Sequence, residues 1–424
     1  MTFNFLLASR GTPGNLSPLL TAGRRLQRAG HNIRIITDPA VRDEVEAHGF
    51  DFVSWTRAPV GADADAGAIK DLRAAFHKVT FVPILDYAAD VVDECRRIAT
   101  DAVLSIDVLF GAALGAEHAG VGLALLSPHI SVKPIPGVPS AGSGLKAPTT
   151  LRERSEVDAA GKQFIDMMDL FLPAMNEARA TLKLTPLKHV LDIFDKADRV
   201  LLAISRAFDF PADSLPDNVY YVGPLLDEPG WSEPWRECWP HGPELPRALV
   251  SFSTGEQGQT TVLQRIVNAI GTITMDAIVT TGPALDVNRI TAPENVRVLR
   301  SAPHDAVMQQ ASLVVTHGGH GTVSRALIRG LPLLVIPNGR DQQDNALRVE
   351  ARGAGLVLPV TASQTEIAGA LRRLISEPQF RIAAGRLGEA IASECDSSTL
   401  VEELEAVVAL RRNGAASKGL PLCQ

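Results

Sequence analysis

The sequence predicts an α/β protein of two lobes, each a parallel sheet flanked by helices. Three observations carry that prediction. The 424 residues exceed the ~150 of a common domain by enough to give two lobes a core each. Short apolar runs alternate with longer stretches of helical period, the pattern of βα units. That series stops once, at a segment dense in Pro, Trp and charge with no period, and then begins again.

In chain order, the first series places strands at Phe3–Ser9, Asn32–Thr37, Phe50–Ser54, Ala102–Ile106, Leu123–Ser127, Arg199–Ile204 and Val219–Val222. The first helix is expected to open on Ser17 as N-cap with Pro18 at N1, to bury Leu19, Leu20, Ala22 and Leu26, and to end at Gly30. Residues Ser131 to Thr150, rich in Pro, Gly and Ser, read as an irregular loop. From Leu151 to Leu184 a long helix is expected, carrying Phe164, Met167, Met168, Leu170 and Phe171 as a wall for an apolar pocket. The first domain is thus 1–222 and the linker 223–247. The second domain, 248–412, has strands at Ala248–Ser251, Ala277–Thr280, Val296–Leu299, Leu313–Thr316 and Leu333–Ile336, and 413–424 reads as a flexible tail.

Hydrophobic residues at 46% and charged residues at 21% fit an ordinary globular protein. A net charge of −7 without a run of Lys or Arg argues against a nucleic-acid partner, since phosphate neutralisation needs a basic face. Cys95, Cys238, Cys395 and Cys423 are scattered, which fits neither a disulfide framework nor a C-x-x-C site and points to a reducing cytoplasm. The first strand starts almost at Met1 without a basic n-region or a spanning length, so a cytoplasmic location without stable membrane insertion is expected.

The sharpest motif is Val314-Val315-Thr316-His317-Gly318-Gly319-His320-Gly321-Thr322-Val323, an apolar strand entering a Gly-rich turn and a helix. Glycines admit a ligand close to the backbone, and the N–H groups opening a helix favour a phosphate. His317 falls at the strand's carboxyl end, where open α/β sheets bind ligands; a tight turn with a surface histidine is the plain alternative. Downstream, Asp341-Gln342-Gln343-Asp344-Asn345 suits hydrogen bonds to sugar hydroxyls, or simply starts a helix. A second turn, Val250-Ser251-Phe252-Ser253-Thr254-Gly255, offers hydroxyls and N–H groups to a diphosphate but no following Lys, so a nucleoside-triphosphatase lacks its phosphate cation. In the first lobe, Ser9-Arg10-Gly11-Thr12-Pro13-Gly14-Asn15-Leu16-Ser17-Pro18 lacks the G-x-G-x-x-G of a dehydrogenase. Ser105-Ile106-Asp107 puts a carboxylate at another strand end. The D-x-D triplet Asp63-Ala64-Asp65 lies in a Gly/Ala-rich loop away from a strand end, and no metal is expected.

These motifs resemble the UDP-glycosyltransferase superfamily, GT-B enzymes with two Rossmann-like domains facing across a cleft, and in particular its bacterial natural-product members. The likeness spans nearly the whole chain and is strongest from Ser301 to Leu356, where a Pro-containing loop, H-G-G-x-G-T and an Asp-Gln pair follow in order. It implies a C-terminal lobe that binds the donor: His317, Gly318, Gly319, Gly321 and Thr322 with Ser253, Thr254 and Gly255 at the diphosphate, Asp341 and Gln342 at the sugar, Ala302 and Pro303 beside the nucleobase. The N-terminal lobe would receive the acceptor through Thr12, the loop from His129 to Ser143, and Phe164 and Met168. The implied reaction is inverting transfer from a UDP- or dTDP-sugar, without metal or cofactor, to a small apolar hydroxylated acceptor such as a polyketide, macrolide, flavonoid, sterol or carotenoid.

Three positions depart from the family pattern. Aligned through Pro18, Asn15 stands where relatives carry the catalytic His or Asp of the first βα turn, and an amide does not usefully accept a proton. Asp107 matches the carboxylate that orients that His and is expected to act in its place, directly or through water. Ser301 replaces a base-stacking Trp and Arg325 a ribose-binding Glu, which leaves the donor open between UDP and dTDP and lets Arg325 contact phosphate instead. A sugar-nucleotide epimerase of the same fold and a silent partner lacking the base remain alternatives, and homodimerisation is left open.

Overall fold

The computed structural model describes residues 1–59, 72–226, 237–252, 260–282, 285–339 and 341–418. Strands β1 (Asn4–Ala8), β2 (Asn32–Thr37), β3 (Asp51–Ser54), β4 (Ala102–Ile106), β5 (Gly122–Ser127), β6 (Arg199–Leu202) and β7 (Val219–Tyr221) form one sheet in the order β3-β2-β1-β4-β5-β6-β7. The second sheet contains β8 (Arg247–Ser251), β9 (Asp276–Thr280), β10 (Val296–Leu299), β11 (Leu313–Thr316), β12 (Leu333–Val335) and β13 (Gly355–Val357), ordered β10-β9-β8-β11-β12-β13. Neighbouring strands pair in parallel throughout both sheets. Such strands are covered on both faces and therefore read as unbroken apolar runs; Leu6, Leu7 and Ala8 in β1 and Leu313, Val314 and Val315 in β11 are fully buried.

Strand order fixes where ligands can sit. The chain works outward from β1 in one direction, then returns to start β4 on its other side; the second sheet does the same between β8 and β11. At such a switch point the loops leaving two adjacent strands diverge and open a crevice at the carboxyl edge. The crevice of the first sheet lies beside Ser9 and Asp107, that of the second beside Phe252 and His317.

The expected strands are present, and β13 adds one that the sequence reading lacked. It has three residues, too few for a period to emerge. A Cβ on Gly355 would stand 2.1 Å from the Leu333 carbonyl oxygen, so close strand approach there requires glycine.

Three local expectations are corrected. Helix α1 (Pro13–Arg28) begins four residues before the expected Ser17 cap, with Thr12 in extended conformation as N-cap and Pro13, not Pro18, in its first turn. Pro13 already has the fixed φ and missing N–H suited to that place, and Pro18 is carried inside the helix. The stretch from Leu151 to Leu184 is not one helix but α6 (Leu151–Met168) and α7 (Leu172–Thr181), separated by a 3₁₀ turn at Asp169–Phe171. Helices α2 (Arg42–Ala47), α3 (Leu72–Phe76), α4 (Ile84–Arg97) and α5 (Phe110–Ala119) precede them. Pro173 breaks the run, since its ring blocks the carbonyl of residue 169 and it has no N–H to donate. Finally, residues 413–418, expected as tail, belong to the last helix, Leu400–Lys418. Its Leu400, Leu404, Val407 and Val408 pack with Leu104 and Leu126 of the first sheet, so the chain's last helix crosses back onto the first lobe.

The second lobe carries α8 (Thr260–Ile270), α9 (His304–Met308), α10 (His320–Ile328), α11 (Gln342–Ala351), α12 (Gln364–Ser376) and α13 (Pro378–Asp396), with Leu400–Lys418 as α14. Among the described residues no helix is long and apolar enough to cross a membrane.

Candidate active site

The Gly-rich turn of the second lobe is assembled by β11, α10 and α11. Thr316 ends β11, and its Oγ1 accepts from the Gly318 N–H at 3.3 Å. Gly318 then takes φ 98°, and a Cβ there would lie 2.9 Å from the Gln342 carbonyl oxygen. Both the handedness and the space thus call for glycine. A Cβ on Gly319 would meet His317 Nε2 at 2.8 Å, which shows the partly exposed His317 ring lying over this turn, near Phe252 with ring centres 5.9 Å apart. Gly319 caps α10, so the N–H groups of His320, Gly321 and Thr322 open a nine-residue helix beside the crevice.

The Asp-Gln pair is tied to the same turn from behind. Asn345 Nδ2 donates to the Gly318 carbonyl at 2.9 Å and to Asp341 Oδ2 at 3.0 Å, which fixes Asp341, the N-cap of α11, against the turn. Gln342 is buried and its Oε1 accepts from the Asn338 N–H at 2.8 Å, so this side chain holds the preceding loop. Ala302 and Pro303 precede α9 and are partly exposed. Beside them Thr280 Oγ1 pairs with His304 Nε2 at 3.1 Å; burial, then the nearby Arg325 cation, pushes His304 down to about 4. Arg325 Nη2 donates to the Leu226 carbonyl at 3.0 Å, anchoring the segment that enters the linker. Ser253, Thr254 and Gly255, and the Asp63-Ala64-Asp65 triplet, lie outside the described residues.

In the first lobe, strand register explains the cluster around Asp107. Ser105 pairs with Leu125 and Ile106 with Leu126, which brings Asp107 beside Ser127 at the sheet's carboxyl edge. Ser127 Oγ donates to Asp107 Oδ2 at 2.6 Å. His129 stands two residues further, its Nε2 3.4 Å from Asp107 Oδ1 and its Nδ1 2.9 Å from the Ile130 carbonyl oxygen. Asp107 is 0% exposed whereas the His129 side chain keeps 22% of its surface. The expectation that Asp107 could meet an acceptor directly is therefore corrected: the imidazole covers it. Burial works against charge on His129, but Asp107, then Asp341 from the opposite lobe and the Ile130 carbonyl, outweigh it and raise the ring to about 9.

Thr12 and Asn15 are partly buried at the start of α1, the Asn15 N–H bonded to the Thr12 carbonyl at 3.0 Å. Met168 is 4% exposed within the first lobe's core, and Phe164 packs partly buried against that core. Close by, Phe81 stacks on Phe171 at 4.8 Å and tilts against Phe110 at 5.8 Å.

Two features escaped the sequence reading. The pairing of His129 with Asp107 depends on which strands are neighbours; Ser127-Pro128-His129 at the end of an apolar run was the available signal. His320 is buried, its Nε2 3.2 Å from Ser324 Oγ and its Nδ1 without a partner among the described residues. Burial pushes it down to about 4 against the pull of Asp341.

Comparison with known proteins agrees with this geometry. Residues 264–407 match the family described as erythromycin biosynthesis protein CIII-like, C-terminal domain. The chain is 27% identical over 422 residues to 4'-demethylrebeccamycin synthase of Lentzea aerocolonigenes, covering 94% of this chain and 99% of that protein. Among solved structures, the calicheamicin glycosyltransferase CalG4 superposes with a TM-score of 0.74 at 20% identity, over 96% of this chain and 99% of that one. The glycosyltransferase VinC in complex with dTDP gives a TM-score of 0.69 at 20% identity, over 97% and 100%. Joined to two parallel sheets with a switch point in each, these matches show a GT-B fold whose residues 264–407 match the erythromycin CIII-like C-terminal domain, and the relatives and structures it is similar to are natural-product biosynthesis enzymes, glycosyltransferases among them.

Proposed function

We propose that the chain transfers a sugar from a UDP- or dTDP-sugar to a hydroxyl of a small apolar natural product, with inversion at the anomeric carbon. The observation that carries the reading is the Thr316–Thr322 turn: a glycine with φ 98° and a helix start present N–H groups at the switch point of the second sheet. A leaving diphosphate there is stabilised by oriented donors that need no rearrangement as charge develops. Asp341, held against that turn by Asn345, is positioned for donor sugar hydroxyls. The apolar side chains around Phe164, Phe81 and Phe171 favour an apolar acceptor body. The dTDP bound in VinC supports the donor class, and the relative named 4'-demethylrebeccamycin synthase supports a natural product as acceptor.

In this displacement the acceptor oxygen forms a bond to the anomeric carbon from one face while the bond to the β-phosphate oxygen breaks on the other. The test is incubation with UDP- and dTDP-sugars and a panel of polyketide, macrolide and flavonoid aglycones, with product configuration read by NMR. Equimolar nucleoside diphosphate and a glycoside of opposite anomeric configuration are expected. Retained configuration would exclude inversion, and conversion of the donor to another sugar nucleotide would favour an epimerase.

A further inference from the structure

We infer that His129 is the group that takes the acceptor proton, with Asp107 behind it as its positioning carboxylate, so that the base has moved from the first strand-to-helix turn to the turn after β5. The inference rests on the transferase reading and deepens it. Three geometric facts carry it. The first turn offers Asn15, which cannot accept a proton usefully. Asp107 is wholly buried, with Oδ2 occupied by Ser127 and Oδ1 lacking a hydrogen-bond donor among the described residues, so it reaches the cleft only past the ring 3.4 Å away. His129, in turn, is partly exposed, and its Nδ1 faces the Ile130 carbonyl at 2.9 Å. A carbonyl accepts and never donates, so neutral His129 carries its proton on Nδ1 and its lone pair on Nε2.

The surrounding charges suit a ring that cycles between neutral and protonated. Asp107 faces it from the end of β4, and Asp341 faces it across the cleft from the start of α11. His320, at the start of α10, is a further titratable group that interacts with it and is held neutral by burial. The two carboxylates favour the imidazolium that forms when the proton arrives. The same Asp341 is the proposed sugar contact, which puts the ring near the anomeric carbon.

The step balances without another reactant. The acceptor O–H bond breaks, its proton passes to Nε2, and the oxygen pair forms the bond to the anomeric carbon. The pair of the breaking bond leaves with the nucleoside diphosphate. At 3.4 Å the Nε2–Oδ1 contact is long for a hydrogen bond, so the partly exposed ring is free to turn Nε2 from Oδ1 toward an acceptor hydroxyl, and catalytic hydrogen bonds commonly tighten only once substrate is bound.

The experiment uses the full chain with UDP-glucose and dTDP-glucose, and three acceptors: 4-methoxyphenol, the more acidic 4-nitrophenol, and water itself. Nucleoside diphosphate release is followed from about pH 6 to about pH 10. For wild type, kcat/KM toward 4-methoxyphenol is expected to rise through about pH 9. His129→Gln is expected to lose about 10²–10⁴-fold toward 4-methoxyphenol and to abolish that limb. It should lose far less toward 4-nitrophenol, which arrives ionised. Asp107→Asn is expected to move the limb toward the ordinary histidine range near 6.5 while lowering the rate, which a merely structural role would not do. Thermal stabilisation by UDP or dTDP, unchanged in both variants, shows that they fold. Retention of rate and limb by His129→Gln overturns the inference and leaves the transferase reading intact. So does a wild-type kcat/KM that falls through about pH 9, which would make His129 a cation that holds an anionic acceptor. No release from either donor in any arm, water included, overturns both.

Discussion

The turn proposed to hold the donor hangs on one backbone conformation. Gly318 sits at φ 98° with the Gln342 carbonyl and Val335 Cγ1 both 2.9 Å from where a Cβ would stand. Gly318→Ala is expected to cost about 1–3 kcal/mol in strain alone. Because the Gly318 carbonyl also receives Asn345, the change should move Asp341 and weaken nucleotide-sugar binding at least tenfold, a shift of about 1.4 kcal/mol. Urea unfolding and calorimetric titration with UDP or dTDP check the two effects separately. Glycines of this kind are legible before any fold is known, because a strand, a glycine pair and a helix lie contiguous in sequence. Asp107 was legible for the same reason, at the end of its own apolar run. Its imidazole partner was not, since Asp107 and His129 come from different strands and meet only through the register of β4 and β5. The buried Gln342 side chain has a structural bond that its place after a strand did not foretell, its Oε1 tying down the Asn338 N–H.

Helix α11 joins the proposed donor site to the first lobe. Its first turn carries Asp341 and Gln342, whereas Asp344 accepts from the Gly142 N–H at 3.0 Å and Lys146 pairs with Glu350 at 2.6 Å, both contacts reaching into the loop after β5. Leu347 enters the first lobe's core. Arg348, 1% exposed, donates through Nε to Asp209 Oδ1 at 2.8 Å, and Tyr221 donates to Asp209 Oδ2 at 2.8 Å. The Arg348 guanidinium also lies over the Phe210 ring, 4.5 Å from its centre. Removing one partner of such a pair strands a buried charge. Arg348→Ala is therefore expected to lose about 3–5 kcal/mol in denaturant unfolding, with part of it regained in Arg348→Met combined with Asp209→Leu. A loss within about 0.5 kcal/mol, the range of a surface change, would contradict this role for α11. Periodicity showed that a helix follows Asp341, but not that its buried face belongs to the other lobe. The break between α6 and α7 was readable in principle from Pro173, which the run of apolar residues around it masked. The three-residue β13 offers no such signal.

The whole molecule should be most stable near neutral pH, and three histidines with large shifts contribute to the shape of the curve. His304 and His320 are both near 4 when folded, chiefly through burial, below the ordinary value of about 6.5. Between those values the unfolded chain binds more protons, so stability rises with pH from about 4 to about 6.5. His129 lies near 9 when folded, so there the native state binds more protons and stability falls as pH rises from about 6.5 to about 9. Urea midpoints across that span should peak near pH 6.5, and His129→Gln should flatten the alkaline side. At this scale the two α/β lobes were legible from alternating apolar and helical runs, whereas the return of α14 onto the first sheet was not, because that contact joins Val407 to Gly122 across most of the chain. Ligand-induced thermal stabilisation decides whether the second lobe's turn is a pyrimidine nucleotide-sugar site. UDP, dTDP, GDP and NAD are compared at matched concentrations on wild type and Gly318→Ala. UDP or dTDP at a hundredfold over its dissociation constant is expected to add about 2.7 kcal/mol to wild type and clearly less to the variant. Preference for NAD, or no response to any of the four, would contradict the account.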